Sequence, residues 1–183
     1  MSEQKPILTF HVAVPTTASP AGVYDLLADV NAHKVWAGEQ AKHKAFKLLS
    51  LDAPRGQAVV GDRFSSSGAS SAAASFVDTS VVVEAEPGHR FGFDTQSRLD
   101  RARRPTWHVR FSHRYALAAS GTGTVIDYTC EVRPQNYKPY WLQPGMRLMT
   151  PFMVQRMIRS NLKNLARLAE AAAPAQKNAH SEA

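Results

Sequence analysis

The order of its periodic segments restricts this chain to few folds. One segment with the alternation of a β-strand opens the chain, two short helical segments follow, and six further strand-like segments precede a single long helical one. The strand-like segments are separated by stretches rich in Gly, Pro, Ser and Asp, and they cover residues 7–14, 45–51, 61–67, 75–86, 89–95, 107–117 and 123–133. Because short connections make consecutive strands neighbours, the sequence predicts one antiparallel sheet.

The helical segments complete this prediction. Ser19 before Pro20 is typical of an N-cap followed by the first helical residue, and a second short helix is expected around Trp36. From Met146 to about residue 172, apolar residues recur at helical spacing. A sheet with one apolar face has to be covered, and only this last helix is long enough. The sequence therefore predicts an α+β fold, in which a curved seven-stranded antiparallel sheet wraps around a long C-terminal helix, with two short helices after strand one.

Length and composition set the remaining limits. A chain of 183 residues, 44% hydrophobic and 20% charged, is typical of one globular domain. We expect this domain over residues 1–173 and a disordered tail over residues 174–183, where apolar periodicity is absent. The chain has a single cysteine, Cys130, and neither a secretory signal nor an apolar run of about 20 residues. We therefore expect a cytoplasmic protein.

One strand carries a histidine within an otherwise apolar face. In WHVRFSHRYAL, residues 107–117, every second side chain points to the same side, and that set contains five apolar or aromatic residues and His113. A hairpin closed at Leu117 and Thr124 would place His113 directly opposite Tyr128, within reach of a hydrogen bond. The pair could anchor a ligand oxygen, could act as general acid and base, or could simply be a buried histidine satisfied by its neighbour.

The order of these segments and several local signatures resemble the START-like superfamily, also called SRPBCC or Bet v 1-like, and in particular its polyketide cyclase/dehydrase-like branch. The stretches that carry the resemblance span about residues 7–170 and read VAVPTTASPAGVYDLLADVNAHKVW, GDRF, VVEAEPGHRFGF, YALAASGTGTVIDY and the closing helix. The resemblance implies a helix-grip fold with a cavity between sheet and long helix, where members hold lipids, sterols, polyketides or other apolar molecules. It also implies that the loops after strands three and five, and the one before the last helix, form the rim of the entrance.

On this basis we expect the chain to bind a hydrophobic or amphipathic small molecule, such as a lipid or polyketide, in this internal cavity. The expected lining is aromatic and rich in methionine, a flexible side chain that adapts to varied apolar ligands. It consists of Trp36, Phe93, Trp107, Phe111, His113, Tyr115, Tyr128, Met149, Met153 and Met157. Ordinary core packing would explain the apolar members of this set equally well. An alternative is an enzyme, a polyketide cyclase, aromatase or dehydratase, with His113 and Tyr128 as catalytic acid and base.

A basic cluster is expected at the entrance. It lies in SRLDRARRP, residues 97–105, which we interpret as a loop between strands five and six. Together with two aromatic residues before the last helix, this loop would surround the cavity with Arg101, Arg103, Arg104, Tyr140 and Trp141. Such a collar suits an anionic head group, an acidic carrier protein or an anionic membrane surface, and a merely solvated loop would look the same. A third interpretation is therefore an interaction module that uses the Arg98–Arg104 loop. The net charge of +7 agrees with acidic partners, but nucleic acid is disfavoured because no binding motif accompanies the arginines.

Other kinds of site lack a signal in this sequence. The seven histidines show no metal-ligand spacing with one another or with Cys130, and neither a phosphate-binding loop nor a dinucleotide fingerprint is present. We therefore predict no metal and no cofactor. Cys130 falls on the inward face of its strand and is expected to be a buried structural thiol. The sequence leaves the oligomeric state open.

Overall fold

The computed structural model describes residues 5–39, 47–71, 74–102, 104–135 and 146–179. The strands within these ranges are β1 Leu8–Thr16, β2 Lys47–Asp52, β3 Arg63–Ser71, β4 Ala74–Glu86, β5 Arg90–Arg101, β6 Arg104–Ser120 and β7 Gly123–Pro134. The helical elements are α1 Pro20–Ala28, a 3₁₀ helix Val30–Ala32, a π-helical segment Lys34–Glu39 and α2 Met146–Ala179. The predicted α+β helix-grip fold, with short helices after the first strand, is confirmed.

The seven described strands form one curved antiparallel sheet in the order β1-β7-β6-β5-β4-β3-β2. Strands β2 to β7 each pair with their neighbours in sequence, whereas β1 crosses over to pair with β7, from Leu8 opposite Val132 to Thr16 opposite Thr124. Register shifts interrupt the four ladders between β2 and β6. Because such irregularities bend and twist a strand, they help to curve the sheet and give it a concave, inward face.

Helix α1 begins as its sequence predicts. The side chain of Ser19 accepts a hydrogen bond from the backbone N–H of Gly22 at 3.2 Å, and Pro20 occupies the first helical position. Proline is well suited there because its fixed φ angle is helical and its missing N–H would have had no partner in the helix. Val23 and Leu27 are completely buried and fix the helix to the core.

Helix α2 packs against β1, α1 and the π-helical segment. Its second half supplies the apolar side chains of the contact, among them the buried Leu162 and Leu165. Burying a leucine side chain contributes about 1.5–3 kcal/mol, so these residues attach the helix firmly to the sheet. A polar contact adds to them, because the hydroxyl of Thr16 donates to Glu170 Oε1 at 2.8 Å and the backbone N–H of Thr17 donates to the same atom at 3.0 Å.

The register predicted for the β6–β7 hairpin is wrong by two residues. The strands close at Ser120 opposite Gly123, so His113 lies opposite Cys130, and Tyr115 lies opposite Tyr128. The reason is the turn: the ladder continues beyond Leu117 to a two-residue connection, in which Gly121 adopts a positive φ of 58°. Such tight turns match the twist of paired strands and are favoured over longer loops. A shift of two residues leaves every side chain on its predicted face.

Helix α2 continues past the predicted limit of the domain and ends at Ala179. The division into a domain over residues 1–173 and a disordered tail over 174–183 stays a prediction. None of the helices in the described ranges is long and apolar enough to span a membrane.

Candidate functional site

The centre of the concave face is a hydrogen-bonded histidine and tyrosine. His113 Nδ1 lies 2.7 Å from the hydroxyl oxygen of Tyr128, as the sequence predicted, although the two residues are diagonal rather than directly opposed. Aromatic side chains are long enough to bridge a diagonal pair of residues on one face of a hairpin, so the two polar atoms can still meet. Tyr128 is buried, and His113 is partly buried.

Aromatic rings surround this pair. The imidazole of His113 stacks on Phe93, with ring centres 4.5 Å apart and planes 25° apart, and Phe111 lies 6.0 Å from it on the same strand. On the other side, the ring of Tyr115 is 4.7 Å from that of Tyr128. Offset stacking of this kind stabilises the rings beyond the area that they bury. The result is a continuous aromatic surface that contains the hydrogen-bonded His113 and Tyr128.

Burial keeps the histidine and tyrosine uncharged at neutral pH. It lowers the pKa of His113 to about 3, assisted by the nearby positive charge of Arg114 and by His33. It also raises the pKa of Tyr128 well above its usual value. A neutral imidazole has one donor and one acceptor nitrogen, so either the tyrosine donates to Nδ1 or Nδ1 donates to the tyrosine. In the first case His113 Nε2–H, and in the second the Tyr128 O–H, keeps a hydrogen to donate to a further group.

Cys130 lies on the same face, and its thiol is in an unreactive environment. The residue is buried, and burial raises the pKa of its thiol to about 11. The thiol therefore stays protonated at neutral pH, and the nucleophilic form is not populated. This agrees with the structural thiol predicted from the sequence.

A second histidine, which the sequence reasoning missed, packs beside Phe93. His33 follows the 3₁₀ helix, and its ring lies 4.7 Å from that of Trp36 and 6.0 Å from that of Phe93. Its Nε2 donates to the backbone oxygen of Leu27 at 2.8 Å. Burial lowers the pKa of His33 to about 4, so this ring is neutral as well. No periodicity marks His33 in the sequence, because 3₁₀ and π-helical segments do not share one repeat.

Trp36 connects the π-helical segment to helix α2. Its backbone oxygen accepts a hydrogen bond from Asn164 Nδ2 at 3.1 Å, and Asn164 is itself buried. The indole Nε1 of Trp36 is buried and meets no acceptor in the described part of the chain. An indole N–H donor in such a position is suited to an oxygen atom of a bound molecule.

Polar side chains occupy the concave face on β4 and β5 next to Phe111, and the sequence reasoning missed them too. Ser80 on β4 and Thr95 on β5 are buried, and their hydroxyls lie 2.8 Å apart. Two residues further along, Asp78 lies between Ser66 on β3 and Ser97 on β5. The alternation of β4 was a usable signal, since Phe76, Asp78, Ser80 and Val82 share one face of the strand.

The structure brings most of the predicted lining together. Trp36, Phe93, Tyr115 and Tyr128 are buried in one hydrophobic core, and the partly buried Phe111 packs against it. His113 and Met157 are partly buried, and Trp107 is buried beneath Arg101 at the end of the β5–β6 hairpin. Met153 on α2 is 64% exposed, whereas a side chain that lines an internal cavity is expected to be buried. The side chain of Met149 lies outside the described residues, so the methionine wall stays a prediction.

The predicted arginine loop is the end of a hairpin instead. Strand β5 continues to Arg101 and β6 begins at Arg104, so the cluster lies on and beside paired strands. From the sequence, these strands are expected to end where the apolar alternation ends. Polar residues can nevertheless continue a strand whose outer face is exposed to water, as they do here. Arg98 is paired with Asp100 at 3.0 Å, and the guanidinium carbon of Arg101 lies 3.2 Å from the ring centre of Trp107.

The other members of the predicted collar cannot be placed. Arg103, Tyr140 and Trp141 lie outside the described residues, as does the side chain of Arg104. The collar around the entrance therefore stays a prediction. As for metals, the described residues contain no group of three or more His, Cys, Asp or Glu side chains close enough to hold an ion.

Comparison with known proteins agrees with this architecture. Among solved structures, an uncharacterised protein from Rhizobium leguminosarum is 17% identical, with a TM-score of 0.63 over 90% of this chain and 95% of that one. Protein CV1439 from Chromobacterium violaceum is 19% identical, with a TM-score of 0.60 over 88% of this chain and 97% of its own. The protein Ara h 8.0201 is 11% identical, with a TM-score of 0.58 over 90% and 98%. At these identities the likeness shows the fold alone.

Sequence comparison gives the family. No curated protein matches the chain significantly. Residues 8–170, by contrast, match the family described as polyketide cyclase / dehydrase and lipid transport. This range includes every described strand. The chain therefore belongs to the polyketide cyclase/dehydrase and lipid transport family of the START-like, SRPBCC or Bet v 1-like superfamily.

Proposed function

We propose that this protein binds a hydrophobic or amphipathic small molecule, such as a lipid or polyketide, between the concave face of the sheet and helix α2. The observation that carries the proposal is the uncharged His113–Tyr128 pair at the centre of an aromatic surface. Binding sites for such molecules are mostly apolar, with a few convergent polar groups that fix the orientation of the ligand. Membership of a family that includes lipid transport proteins supports this assignment.

The aromatic surface supplies the apolar part of the interaction. Phe111 and His113 point to the concave face yet are only partly buried, so they offer surface that a ligand would remove from water. Burying apolar surface contributes about 25 cal/mol per Å², and aromatic rings present large areas of it. Phe93, which contacts His33, Phe64 and His113, holds these rings in place.

The polar part comes from groups with a hydrogen to donate. When Tyr128 donates to Nδ1, His113 Nε2–H remains available to a ligand; in the other arrangement the Tyr128 O–H is directed to the sulfur of Cys130. Trp36 Nε1 is a second buried donor, with no acceptor among the described residues. A carbonyl or hydroxyl oxygen of the ligand would satisfy such donors. We therefore expect the bound molecule to place an oxygen, rather than only hydrocarbon, at this point.

The enzymatic alternative uses the same two residues differently. A polyketide cyclase, aromatase or dehydratase would need His113 and Tyr128 to exchange protons with the substrate, and the most effective acid–base groups have pKa values near the working pH. Burial instead lowers the pKa of His113 to about 3 and raises that of Tyr128. These shifts favour hydrogen bonding over proton transfer. The catalytic roles stay a hypothesis, to be tested by whether activity on a bound polyketide disappears in His113→Phe and Tyr128→Phe.

The interaction module has less support. Arg98 is ion-paired, and Arg101 stacks on Trp107, so both guanidinium groups are engaged within the hairpin. An anionic head group, acidic carrier protein or anionic membrane surface remains a hypothesis for this region. It would require binding that weakens steeply as salt is added.

The proposal is tested by mass spectrometry of the purified protein, under native conditions and after denaturation. A bound molecule is expected as a discrete mass that is lost on unfolding. In parallel, the melting temperature is measured in the presence of dodecanol, because a ligand that binds the folded state raises it, and raises it more the more tightly it binds. Tyr128→Phe is expected to reduce the shift, since it removes a hydroxyl from the pair.

Tyr24→Phe is the matched control. Tyr24 on α1 contacts Phe91 edge-on, and its hydroxyl takes no part in the His113–Tyr128 pair. The variant makes the same chemical change in the same protein and should keep the wild-type shift. A protein that carries no molecule and is not stabilised by dodecanol would contradict the proposal.

A further inference from the structure

An acidic side chain lies on the inward face of β4, within the polar part of the concave surface. Asp78 alternates with Phe76, Ser80 and Val82, all of which are buried. A carboxyl group in such a row requires explanation, because acidic residues are rarely placed towards a core unless they have partners.

The neighbours of Asp78 are hydroxyl groups. Ser66 faces it from β3 and Ser97 from β5, and hydrogen bonds from both serines act on its carboxyl group. The next row of the same face contains Ser80 and Thr95, which satisfy each other at 2.8 Å. We call these five residues the β3–β5 polar cluster.

One atom of the β3–β5 polar cluster is left over. Asp78 Oδ1 is buried, and within the described ranges it meets no hydrogen-bond donor. Leaving a buried acceptor unsatisfied destabilises a folded protein. A residue that imposes such a cost is a candidate for a role outside folding, and a suitable partner for this oxygen is a donor group on a bound molecule.

We propose that Asp78 forms a second polar subsite, whose Oδ1 accepts a hydrogen bond from a hydroxyl group of an elongated ligand held at its other end by the His113–Tyr128 pair. This inference rests on the proposed function and adds the chemical class of the ligand: an uncharged chain or fused-ring molecule with oxygen-bearing groups at both ends.

The register of the sheet gives the spacing of the two subsites. Phe93 lies opposite His113 and Ser97 lies opposite Asp78, so the two levels are four residues apart along β5. Four residues span about 13 Å along a strand, and the two strand spacings between β6 and β4 add about 10 Å across the sheet. The diagonal is therefore about 16 Å between backbones, and inward-pointing side chains shorten the gap that a ligand has to span. An extended dodecyl chain is suited to this distance.

The electrostatics of both ends favour uncharged groups. Burial lowers the pKa of His113 and raises the pKa of Asp78, although the serine hydroxyls oppose the second effect. In both places the surroundings thus penalise charge, and a charged ligand group would meet the same penalty. A hydroxyl group can donate to Asp78 Oδ1 without bringing a charge into the interior.

The test compares dodecanol with the α,ω-diol of dodecane, two uncharged probes that differ by one terminal hydroxyl. Their dissociation constants are measured from the melting temperature as a function of probe concentration. For the wild-type protein, the diol is expected to bind about three- to tenfold more tightly, the range that one net hydrogen bond gives. In Asp78→Leu this preference should disappear, while dodecanol binds at least as well as before.

Two further variants separate ligand recognition from folding. Asp78→Asn keeps an oxygen acceptor of the same size and should retain a preference for the diol. Thr79→Leu changes the adjacent, exposed residue on the opposite face of β4 and should keep the wild-type preference. The unliganded Asp78→Leu protein loses an unsatisfied oxygen but also the acceptor of the Ser66 and Ser97 hydroxyl groups, so its melting temperature is measured without probe and serves as the baseline for its own probe series. If it does not fold, Asp78→Ala takes its place in the comparison of probes.

The outcomes distinguish this inference from the function on which it rests. If dodecanol binds but the diol has no advantage, or if the advantage persists in Asp78→Leu, the Asp78 subsite is refuted and the proposed binding function stands. A lower melting temperature of unliganded Asp78→Leu, with an unchanged preference, would assign Asp78 a structural role only. If neither alcohol binds the wild-type protein, the Asp78 subsite is refuted, and the proposed binding function is refuted with it when no molecule co-purifies with the protein.

Discussion

His113 Nδ1 and the hydroxyl oxygen of Tyr128 lie 2.7 Å apart across a diagonal of the β6–β7 hairpin, while Tyr115 occupies the position directly opposite Tyr128. Burial disfavours the charged forms of both partners, so the contact is a hydrogen bond between neutral groups. Its contribution to stability is modest, but removing one partner leaves the other unsatisfied in an apolar environment. This asymmetry makes the pair open to a direct test.

The first prediction concerns the coupling of this pair. Tyr128→Phe and His113→Phe should each lower the free energy of unfolding by about 1–3 kcal/mol, because each leaves a polar atom without its partner. The double variant should lose less than the sum of the two, since it removes both polar groups together. Urea denaturation of the four proteins measures the difference. Tyr24→Phe controls for the loss of a tyrosine hydroxyl as such, and strictly additive losses would contradict the coupling.

The second prediction concerns pH. Burial lowers the pKa of His33 from 6.5 to about 4 and that of His113 from 6.5 to about 3 in the folded protein. Between these values the unfolded chain binds more protons than the folded one, so stability must fall as the pH decreases below about 6.5. Each histidine contributes a slope of up to about 1.4 kcal/mol per pH unit, which vanishes below its folded pKa.

Urea denaturation at several pH values between about 7 and 4 measures this slope. His33→Gln retains an amide that can donate to the backbone oxygen of Leu27 but cannot titrate, so it should remove about half of the slope. His89→Gln changes an exposed histidine and serves as the control. A slope that is the same in His33→Gln and in the wild type would show that His33 does not contribute to it.

The sequence was sufficient for the strands and for the faces of their side chains. Alternation identified the inward face of β6, and it survived the error in the β6–β7 register because that error was two residues. The exact register depended on the turn, where the conformation of Gly121 allows a connection of two residues. Whether a hairpin closes in such a turn or in a longer loop is decided by the paired strands as well as by the turn residues, so local sequence left it open.

The remaining gaps have different physical causes. Asp78 could have been found, because the alternation that singled out His113 also places Asp78 inward. His33 could not, since its burial depends on rings that come from distant strands. For α2, helical spacing shows which residues share a face but not which face meets the sheet at each level. Leu165 is buried, whereas Met153, which the sequence predicted to be part of the lining, is 64% exposed.

The third prediction tests the link between α2 and the π-helical segment. Asn164 is buried, and its Nδ2 donates to the backbone oxygen of Trp36 at 3.1 Å. Asn164→Leu should lower the free energy of unfolding by about 1–3 kcal/mol, because that oxygen loses a donor. It should also shift the tryptophan emission to longer wavelength as Trp36 loosens. Lys163→Ala, at the adjacent exposed position, is the control, and unchanged stability and emission in Asn164→Leu would contradict the link.

The fourth prediction concerns the start of β7, where the chain passes close to the end of β1. A Cβ atom on Gly123 would overlap the backbone oxygen of Thr16 and lie 2.9 Å from Thr17 Cα, and backbone atoms cannot yield as a flexible side chain would. Gly123→Ala should therefore cost about 3 kcal/mol or more in unfolding free energy, at the upper end of overpacking. Because Thr16 and Thr17 also bind Glu170, the same substitution should loosen α2.

Urea denaturation, with dodecanol binding as a second measurement, tests both parts of this prediction. Gly121→Asn is the matched control, since Gly121 has a positive φ of 58° but no atom within 4 Å of an added Cβ. Asparagine tolerates that conformation better than other residues with a side chain, so the control should change stability by about 0.5 kcal/mol or less. A nearly neutral Gly123→Ala would mean that the end of β1 can move aside without disturbing the attachment of α2, and that the close approach at Gly123 is not what holds the helix on the sheet.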